Sequence, residues 1–305
     1  MPRPRWAVVA CALLAAACAT TPPPAVETGR LFLWEVARAD GRGGGVHVMG
    51  SVHLSDDEIR FDAAVEAALA AAETLVLEVD PEELAPARMA QLTAETGFFA
   101  DGRTLRSVLA AETFELLEQR LESYRIPLEG FLPMEPWLVG MTLQMIELER
   151  QGFDPEQGVE MALARSATGA GKAILGLETA EAQIATLDSL PLPTQELMLL
   201  DVLAGDADGA GGLDLLLDAW RKGDAARLEA EVFAGLGQDP ALDPFFEALY
   251  FERNQHMARG IAEIVDRGGL ALVVVGAAHV VGARGIPALL AADGYSVRQL
   301  PKTPR

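Results

Sequence analysis

The sequence predicts an α/β (mixed α+β) fold in which N-terminal, middle and C-terminal strands form one central sheet. Short runs of mostly apolar residues cluster near both ends of the chain, and one more such run lies in its middle. Long stretches with helical character separate these runs, so we expect large helical insertions between the strands. With 305 residues, half of them hydrophobic, the chain is long enough to bury a sizeable core.

The first elements are predicted to be a hairpin, a helix and a buried strand. Residues 31–38 alternate between two faces, and a glycine-rich turn leads to a second strand at 46–49. Residues 56–73 are alanine-rich, with acidic residues in the first turn, where the helix dipole favours them. Residues 74–80 read TLVLEVD, a nearly continuous apolar run that is typical of a buried strand.

The remaining elements are two helical regions around a strand, followed by a terminal strand–helix–strand unit. Residues 81–168 are helical in character, most clearly at 110–124 and 136–151, and a strand follows at 172–178. Residues 179–267 are again mostly helix, with breaks near 205–212 and 238–244. The chain closes with strands at 270–275 and 295–300 around a helix at 286–292, and we expect residues 31–300 to form a single domain.

The N-terminus has the features of a signal peptide at residues 1–17. Arg3 and Arg5 precede an apolar run that is too short to span a bilayer. The alanines before Cys18 resemble a bacterial lipobox, which predicts lipidation of Cys18 and a Pro/Thr-rich tether at 18–30. Ordinary cleavage at an Ala-x-Ala site at 17–19 is the alternative. An anchored protein of this kind would face the periplasm from the cell envelope, and Ala19 favours the outer membrane.

Charge and cysteine content exclude several classes of function. The net charge of −21 excludes an extended nucleic-acid-binding surface, which requires clustered Lys and Arg. Both cysteines, Cys11 and Cys18, lie in the leader, so the body has no disulfide, no thiol nucleophile and no cysteine-based metal site.

Two of the four histidines occupy matching positions after predicted strands. His53 closes the tetrapeptide GSVH after the strand at 46–49, and His279 closes GAAH after the strand at 270–275. Glycine at a strand end allows a sharp turn, and ligands of open α/β sheets bind at the carboxyl ends of the strands. The repeated motif therefore predicts that His53 and His279 share one site. His47, inside the second strand, is interpreted as a surface or edge residue, and His256 as a solvated helix residue.

Glu78 is the third candidate because an ionised carboxylate late in an apolar strand needs a cation, a hydrogen-bond donor or water. Two imidazoles and one carboxylate form a common ligand set for divalent ions such as Mn, Co or Zn. The sequence thus predicts a metal site made of His53, Glu78 and His279. Alternatively, Glu78 caps the following helix or pairs with an arginine.

The chain resembles the TraB/GumN family, whose relatives include the TIKI-type proteases that act on Wnt proteins. The motifs that carry this resemblance run in order across about residues 31–300: VMGSVHL, LVLEVD, EPWL, GVEMAL, GLETAEAQ, FERNQHM and VVVGAAHVVG. The resemblance implies a mixed α/β fold, paired Gly-x-x-His motifs that line a site, and metal-dependent peptidase activity in the TIKI branch. Ser55 and Glu160 depart from the family pattern, in which glycine and aspartate are frequent.

Carried over by the resemblance, His53 and His279 would be the paired histidines and Glu78 their acidic partner. The resemblance also implies roles for the Glu-Arg-Asn element, Glu252, Arg253 and Asn254. Arg253 would stabilise an oxyanion or bind a substrate carboxylate. Glu178, in the Gly-Leu-Glu-Thr element, would support the site or a helix start.

The leading hypothesis is a metal-dependent hydrolase, which the resemblance implies to be a peptidase, with a peptide or small-molecule substrate. The second hypothesis is metal-independent hydrolysis of an ester or amide, with a histidine as general base oriented by Glu78. The third is a haem- or ligand-binding lipoprotein without catalysis. Against the third, none of Tyr124, Tyr250 and Tyr295 is close in sequence to a Gly-x-x-His loop.

Overall fold

The structure, a computed structural model, describes residues 26–41, 45–52, 61–150, 158–204 and 210–304. The predicted signal peptide, Cys18 and most of the predicted tether lie outside these residues. The described strands are β1 (Arg30–Arg38), β2 (Val46–Ser51), β3 (Thr74–Val79), β4 (Ala173–Glu178), β5 (Ala271–Gly276) and β6 (Tyr295–Pro301).

The helices fill the intervals between the strands. Between β2 and β4 they are α1 (Ala63–Ala71), α2 (Pro86–Thr96), α3 (Leu105–Val108), α4 (Ala111–Tyr124), α5 (Pro136–Arg150) and α6 (Val159–Gly169). Between β4 and β5 they are α7 (Ala180–Asp188), α8 (Leu192–Ala204), α9 (Ala210–Lys222), α10 (Ala225–Val232), α11 (Asp243–Phe246), a π-helix (Glu247–Glu252) and α12 (Arg253–Asp266). A 3₁₀ helix (Ala277–Val280) and α13 (Ile286–Ala292) separate β5 from β6.

The strands form one six-stranded sheet in the order β4-β3-β5-β2-β1-β6. The four strands from β4 to β2 are mutually parallel, whereas β1 is antiparallel to both of its neighbours. The central strand β5 is buried along its whole length, as expected for a parallel strand that is covered on both faces. The predicted mixed α/β fold, with its sheet built from both ends and the middle of the chain, is confirmed.

The sheet separates two hydrophobic clusters. Val76 and Val273 pack on one face, against α12 and the π-helix among other elements, while Leu75 and Val274 pack on the other, against α1 and α6. A third cluster lies among α4, α5 and α8. In the part of the chain that the structure describes, no helix combines the length and hydrophobicity that crossing a membrane requires.

The predicted helix at 56–73 is shorter than expected. Residues 53–60 lie outside the described part, and residues 61 and 62 are not helical. Asp62 is the N-cap, because its carboxylate accepts a hydrogen bond from the backbone N–H of Ala64 at 2.9 Å. The helix α1 starts at Ala63, and the acidic residue in its first turn is Glu66.

Candidate active site at the carboxyl edge of the sheet

The parallel strands bring the predicted site segments to one edge of the sheet. Ser51, at the end of β2, lies opposite Gly276 at the end of β5. On the other side of β5, Leu77 lies opposite Val274, which places Glu78 one residue further toward the same edge. Both Gly-x-x-His motifs and the predicted glutamate therefore start from the carboxyl ends of three adjacent strands.

Position 50 requires a glycine, because the 3₁₀ helix that carries His279 packs directly on the backbone there and leaves no room for a side chain. A Cβ atom at position 50 would lie 2.5 Å from Cγ2 of Val280 and 3.1 Å from the Cα of Ala277. The backbone oxygen of Gly50 also accepts a hydrogen bond from the Trp220 indole at 2.7 Å. The glycine thus permits close approach of the two motif loops.

We expect Gly50→Ala to destabilise the protein by about 1–3 kcal/mol, because the added methyl group overpacks this contact. Gly140→Ala is the matched control. Its Cβ would meet only the Cα of Leu199 at 3.8 Å, and alanine is favoured within a helix such as α5. Urea unfolding of both variants measures the difference, and equal stability changes would contradict the packing argument.

A buried ion cluster holds Glu78 in place. The Nη2 of Arg253 lies 2.7 Å from Oε2 of Glu78 and 2.7 Å from Oε2 of Glu178, and the three side chains are 16%, 15% and 7% exposed. Oε1 of Glu78 accepts a hydrogen bond from the backbone N–H of Gly276 at 2.6 Å. Gln183 donates to both carboxylates at 3.3 Å. The position of the Glu78 carboxylate is therefore fixed by three groups from three other elements, α12, β5 and α7.

Arg253 acts here as a support for the carboxylates. Its Nε donates to Glu178, and its Nη1 donates to the backbone oxygen of Leu249 at 3.1 Å. Burial by itself lowers the pKa of Arg253. The charges of Glu78 and Glu178 raise this pKa by more than burial lowers it, so the net shift is upward. The expected role in binding an oxyanion or a substrate carboxylate remains a prediction, and these contacts favour a positioning role.

His279 lies on the other side of Glu78. Its Nε2 is 3.7 Å from Oε1 of Glu78, and its Nδ1 is 2.6 Å from Oδ1 of Asn254. His279 and Asn254 are almost completely buried. Asn254 and Arg253 begin α12 directly after the π-helix, a type of distortion that often occurs at functional sites.

Tyr250 is a neighbour of His279 that the sequence argument missed. The centroids of the two rings are 5.6 Å apart, although the residues are far apart in sequence. Distance in sequence was used above as an argument against haem binding, and for Tyr250 that argument was wrong. Burial nevertheless raises the pKa of the Tyr250 phenol, which disfavours the phenolate form that would hold iron.

The other predicted residues are distributed as follows. His53 and Ser55 lie outside the described residues. Glu252 is exposed at the end of the π-helix, in contrast to its neighbours Arg253 and Asn254. Glu160 contacts the hydroxyl of Ser51.

Two histidines lie away from the cluster around Glu78. His256 is exposed on α12, as predicted, with its Nε2 at 3.3 Å from the backbone oxygen of Leu177. The interpretation of His47 as an edge residue was wrong, because β2 lies between β5 and β1; the residue is half-buried, so part of its side chain lies at the surface. Burial lowers the pKa of His47, and the charge of Glu35 acts in the opposite direction.

The described residues contain only part of the predicted ligand set. Among them, no three His, Cys, Asp or Glu side chains form a group that could hold a metal ion. Glu78 and His279 supply two donors 3.7 Å apart, and His53, the third predicted ligand, is not among the described residues. Their chemistry fits a divalent cation, because imidazole and carboxylate are both common ligands for such ions.

The fold and the site define a mixed α/β protein with a histidine–carboxylate–arginine cluster at the carboxyl ends of parallel strands. Residues 32–299 match the TraB/PrgY/gumN family, and the chain belongs to this family. It is 25% identical over 248 residues to the protein named "Uncharacterized protein YbaP" from Escherichia coli (strain K12), and equally to that of Shigella flexneri. The alignment covers 80% of this chain and 87% of each relative. No solved structure matches the chain.

Proposed function

We propose that this protein is a metal-dependent hydrolase in which His53, Glu78 and His279 hold a divalent ion, and that its substrate is a peptide. The observation that carries the proposal is the distance of 3.7 Å between Nε2 of His279 and Oε1 of Glu78. The strand that leads to His53 ends at the same edge of the sheet.

The distance between the two donors suits a shared ion. Nitrogen and oxygen ligands of zinc lie roughly 2.0–2.2 Å from the metal, so two ligands of one ion are about 3.0 Å apart at a right angle and about 3.4 Å apart at a tetrahedral angle. A separation of 3.7 Å requires only a small side-chain adjustment. Imidazole and carboxylate together suit Mn, Co or Zn, and zinc is the simplest ion to test first.

The residues of this chain support such an ion in distinct ways. The bound ion would polarise a substrate carbonyl and lower the pKa of a bound water to about 7. Arg253 and the N–H of Gly276 hold Glu78, which prevents its carboxylate from rotating away from His279. The deep burial of His279 limits the access of bulk water to this side of the site. The peptide specificity rests on the resemblance to the TIKI-type proteases.

The cellular setting is part of the same proposal. We propose that residues 1–17 are a signal peptide, that Cys18 carries a lipid, and that the domain faces the periplasm. Mass spectrometry of the membrane fraction tests this: a diacylated or triacylated N-terminal peptide that begins at Cys18 is expected. A soluble product cleaved after residue 19 would contradict it.

Elemental analysis of untagged protein tests the metal. We expect about one divalent ion per chain, and loss of both the ion and peptide cleavage in His53→Ala and His279→Ala. A peptide-library screen on the same sample, before and after chelation and after return of Zn, Mn or Co, identifies the substrate and the active ion. A metal-free protein whose two variants keep full activity would exclude the proposal.

A metal-independent hydrolase is the second candidate, and one observation favours it. Asn254 contacts Nδ1 of His279 at 2.6 Å, an arrangement that can orient an imidazole as a general base. Sequence reasoning assigned that orienting role to Glu78. Cleavage that survives exhaustive chelation but is lost in His279→Ala would select this candidate over the metal-dependent one.

A further inference from the structure

Asn254 connects His279 to the loop that follows it. Its side chain is 1% exposed, so its amide must find partners within the protein. Nδ2 donates to the backbone oxygen of Arg284 at 2.8 Å, and Oδ1 lies 2.6 Å from Nδ1 of His279. Both polar atoms of the amide therefore have a partner within hydrogen-bond distance.

These two contacts determine which nitrogen of His279 carries the proton. The oxygen of Arg284 can only accept a hydrogen bond, so the amide group that faces it must be the NH₂ group. The amide oxygen of Asn254 then faces His279, and because it can only accept, Nδ1 of His279 must be the donor. In the neutral ring the lone pair is consequently on Nε2, the nitrogen that faces Glu78.

Arg284, whose backbone oxygen accepts from Asn254, is itself anchored by contacts of its side chain. The guanidinium of Arg284 lies 3.8 Å from the centroid of the Phe251 ring. It also forms an ion pair with Glu247, with Nη1 at 2.8 Å from the carboxylate. Glu247 and Phe251 belong to the π-helix that leads into Asn254. The π-helix therefore holds the residue whose backbone oxygen orients the Asn254 amide.

We propose that Asn254 is a positioning residue that fixes His279 as the Nδ1–H tautomer and thereby directs the Nε2 lone pair toward the site. The use of that lone pair to bind a metal rests on the proposed function, whereas the tautomer itself does not. Histidine ligands of metals typically donate their second ring N–H to an oxygen in this way.

The test is ¹⁵N–¹H NMR of the histidine rings of the metal-free protein, at a pH where the imidazoles are neutral. The chain has four histidines, so few signals overlap, and His279→Gln assigns the relevant ring. In the wild type we expect the Nδ1–H pattern for His279. Asn254→Ala should lose this pattern and populate the Nε2–H form, because the substitution removes the acceptor amide oxygen at Nδ1 while the Glu78 carboxylate still faces Nε2.

Asn254→Asp separates positioning from a general structural role. A carboxylate still accepts from Nδ1 but cannot donate to Arg284, so this variant should keep the Nδ1–H pattern even where its stability falls. Gln195→Ala is the matched control: Gln195 is also a buried amide, 1% exposed, which bonds to Leu190 at 2.9 Å outside the site. Gln195→Ala should be less stable than the wild type, but the His279 ring should keep its Nδ1–H pattern.

Titration with Zn provides a second measurement. Asn254→Ala should bind zinc about 10–100-fold more weakly, and Asn254→Asp should recover most of that loss. An Nε2–H pattern in the wild type, or an unchanged Nδ1–H pattern in Asn254→Ala, would overturn the inference. Should Asn254→Ala fail to fold, an Nε2–H pattern in Asn254→Asp would also overturn it. An absence of zinc binding in every variant, with the tautomer still dependent on Asn254, would reject the metal proposal and leave the inference standing.

Discussion

Replacing Arg253 with methionine should lower the free energy of unfolding by about 3–5 kcal/mol, a large loss for a single substitution. The substitution removes the cation from between Glu78 and Glu178, whose side chains are only 15% and 7% exposed. Methionine keeps much of the packing volume, so the loss reports on uncompensated charge and less on a cavity. Urea unfolding at neutral pH, followed by circular dichroism, measures it.

Two comparisons make this measurement specific. Arg267→Met removes an ion pair with Glu263 whose side chains are 76% and 64% exposed, and it should change stability by less than about 0.5 kcal/mol. Adding Glu78→Gln and Glu178→Gln to Arg253→Met should recover part of the lost stability, because neutral amides need no counterion. A loss below about 1 kcal/mol for Arg253→Met alone would show that the cluster does not require its arginine.

The meeting of Glu78 with the second Gly-x-x-His motif was predictable from the sequence. Glu78 lies near the end of one recognisable strand and His279 follows another, and the carboxyl ends of parallel strands lie at one edge of a sheet. An ionised carboxylate late in the apolar run LVLEVD also needs a partner. The alternative in which Glu78 pairs with an arginine proved to be part of the answer, since Arg253 binds it while His279 lies on the other side.

The resemblance pointed to Arg253 and Asn254 as site residues, but their contacts were not predictable from the periodicity of the sequence. The π-helix at Glu247–Glu252 changes the rotation per residue, so the direction of Arg253 and Asn254 does not follow from a period of 3.6. Nothing in the sequence placed Tyr250 against His279, because that contact depends on how the π-helix packs against the 3₁₀ helix. Glu178 is the last residue of the edge strand β4, and only the strand order brings it next to Glu78.

Replacing His279 with alanine should reduce kcat/KM for peptide cleavage by about 10³-fold or more and reduce the bound metal at least tenfold. Transition-state stabilisation by a catalytic ion contributes several kcal/mol, and each 1.36 kcal/mol corresponds to a factor of ten in rate. His279 supplies one of the two donors that face each other at 3.7 Å, so its loss removes a ligand and leaves Glu78 in place. Steady-state kinetics and elemental analysis of the same preparation measure both quantities.

His256→Ala distinguishes this effect from a general loss of histidine or of stability. His256 is exposed on the same helix as Arg253 and contacts only the backbone oxygen of Leu177 among the hydrogen bonds described for it, so its removal should change kcat/KM by less than about twofold. If His279 is a metal ligand, the bound metal and the activity should both fall in His279→Ala. If His279 is a general base, the activity should fall in His279→Ala, and adding or removing metal should not change the activity of the wild type or of the variant. Full activity in His279→Ala, in a variant that unfolds like the wild type, would contradict both roles and leave the cluster around Glu78 as a structural feature of the fold.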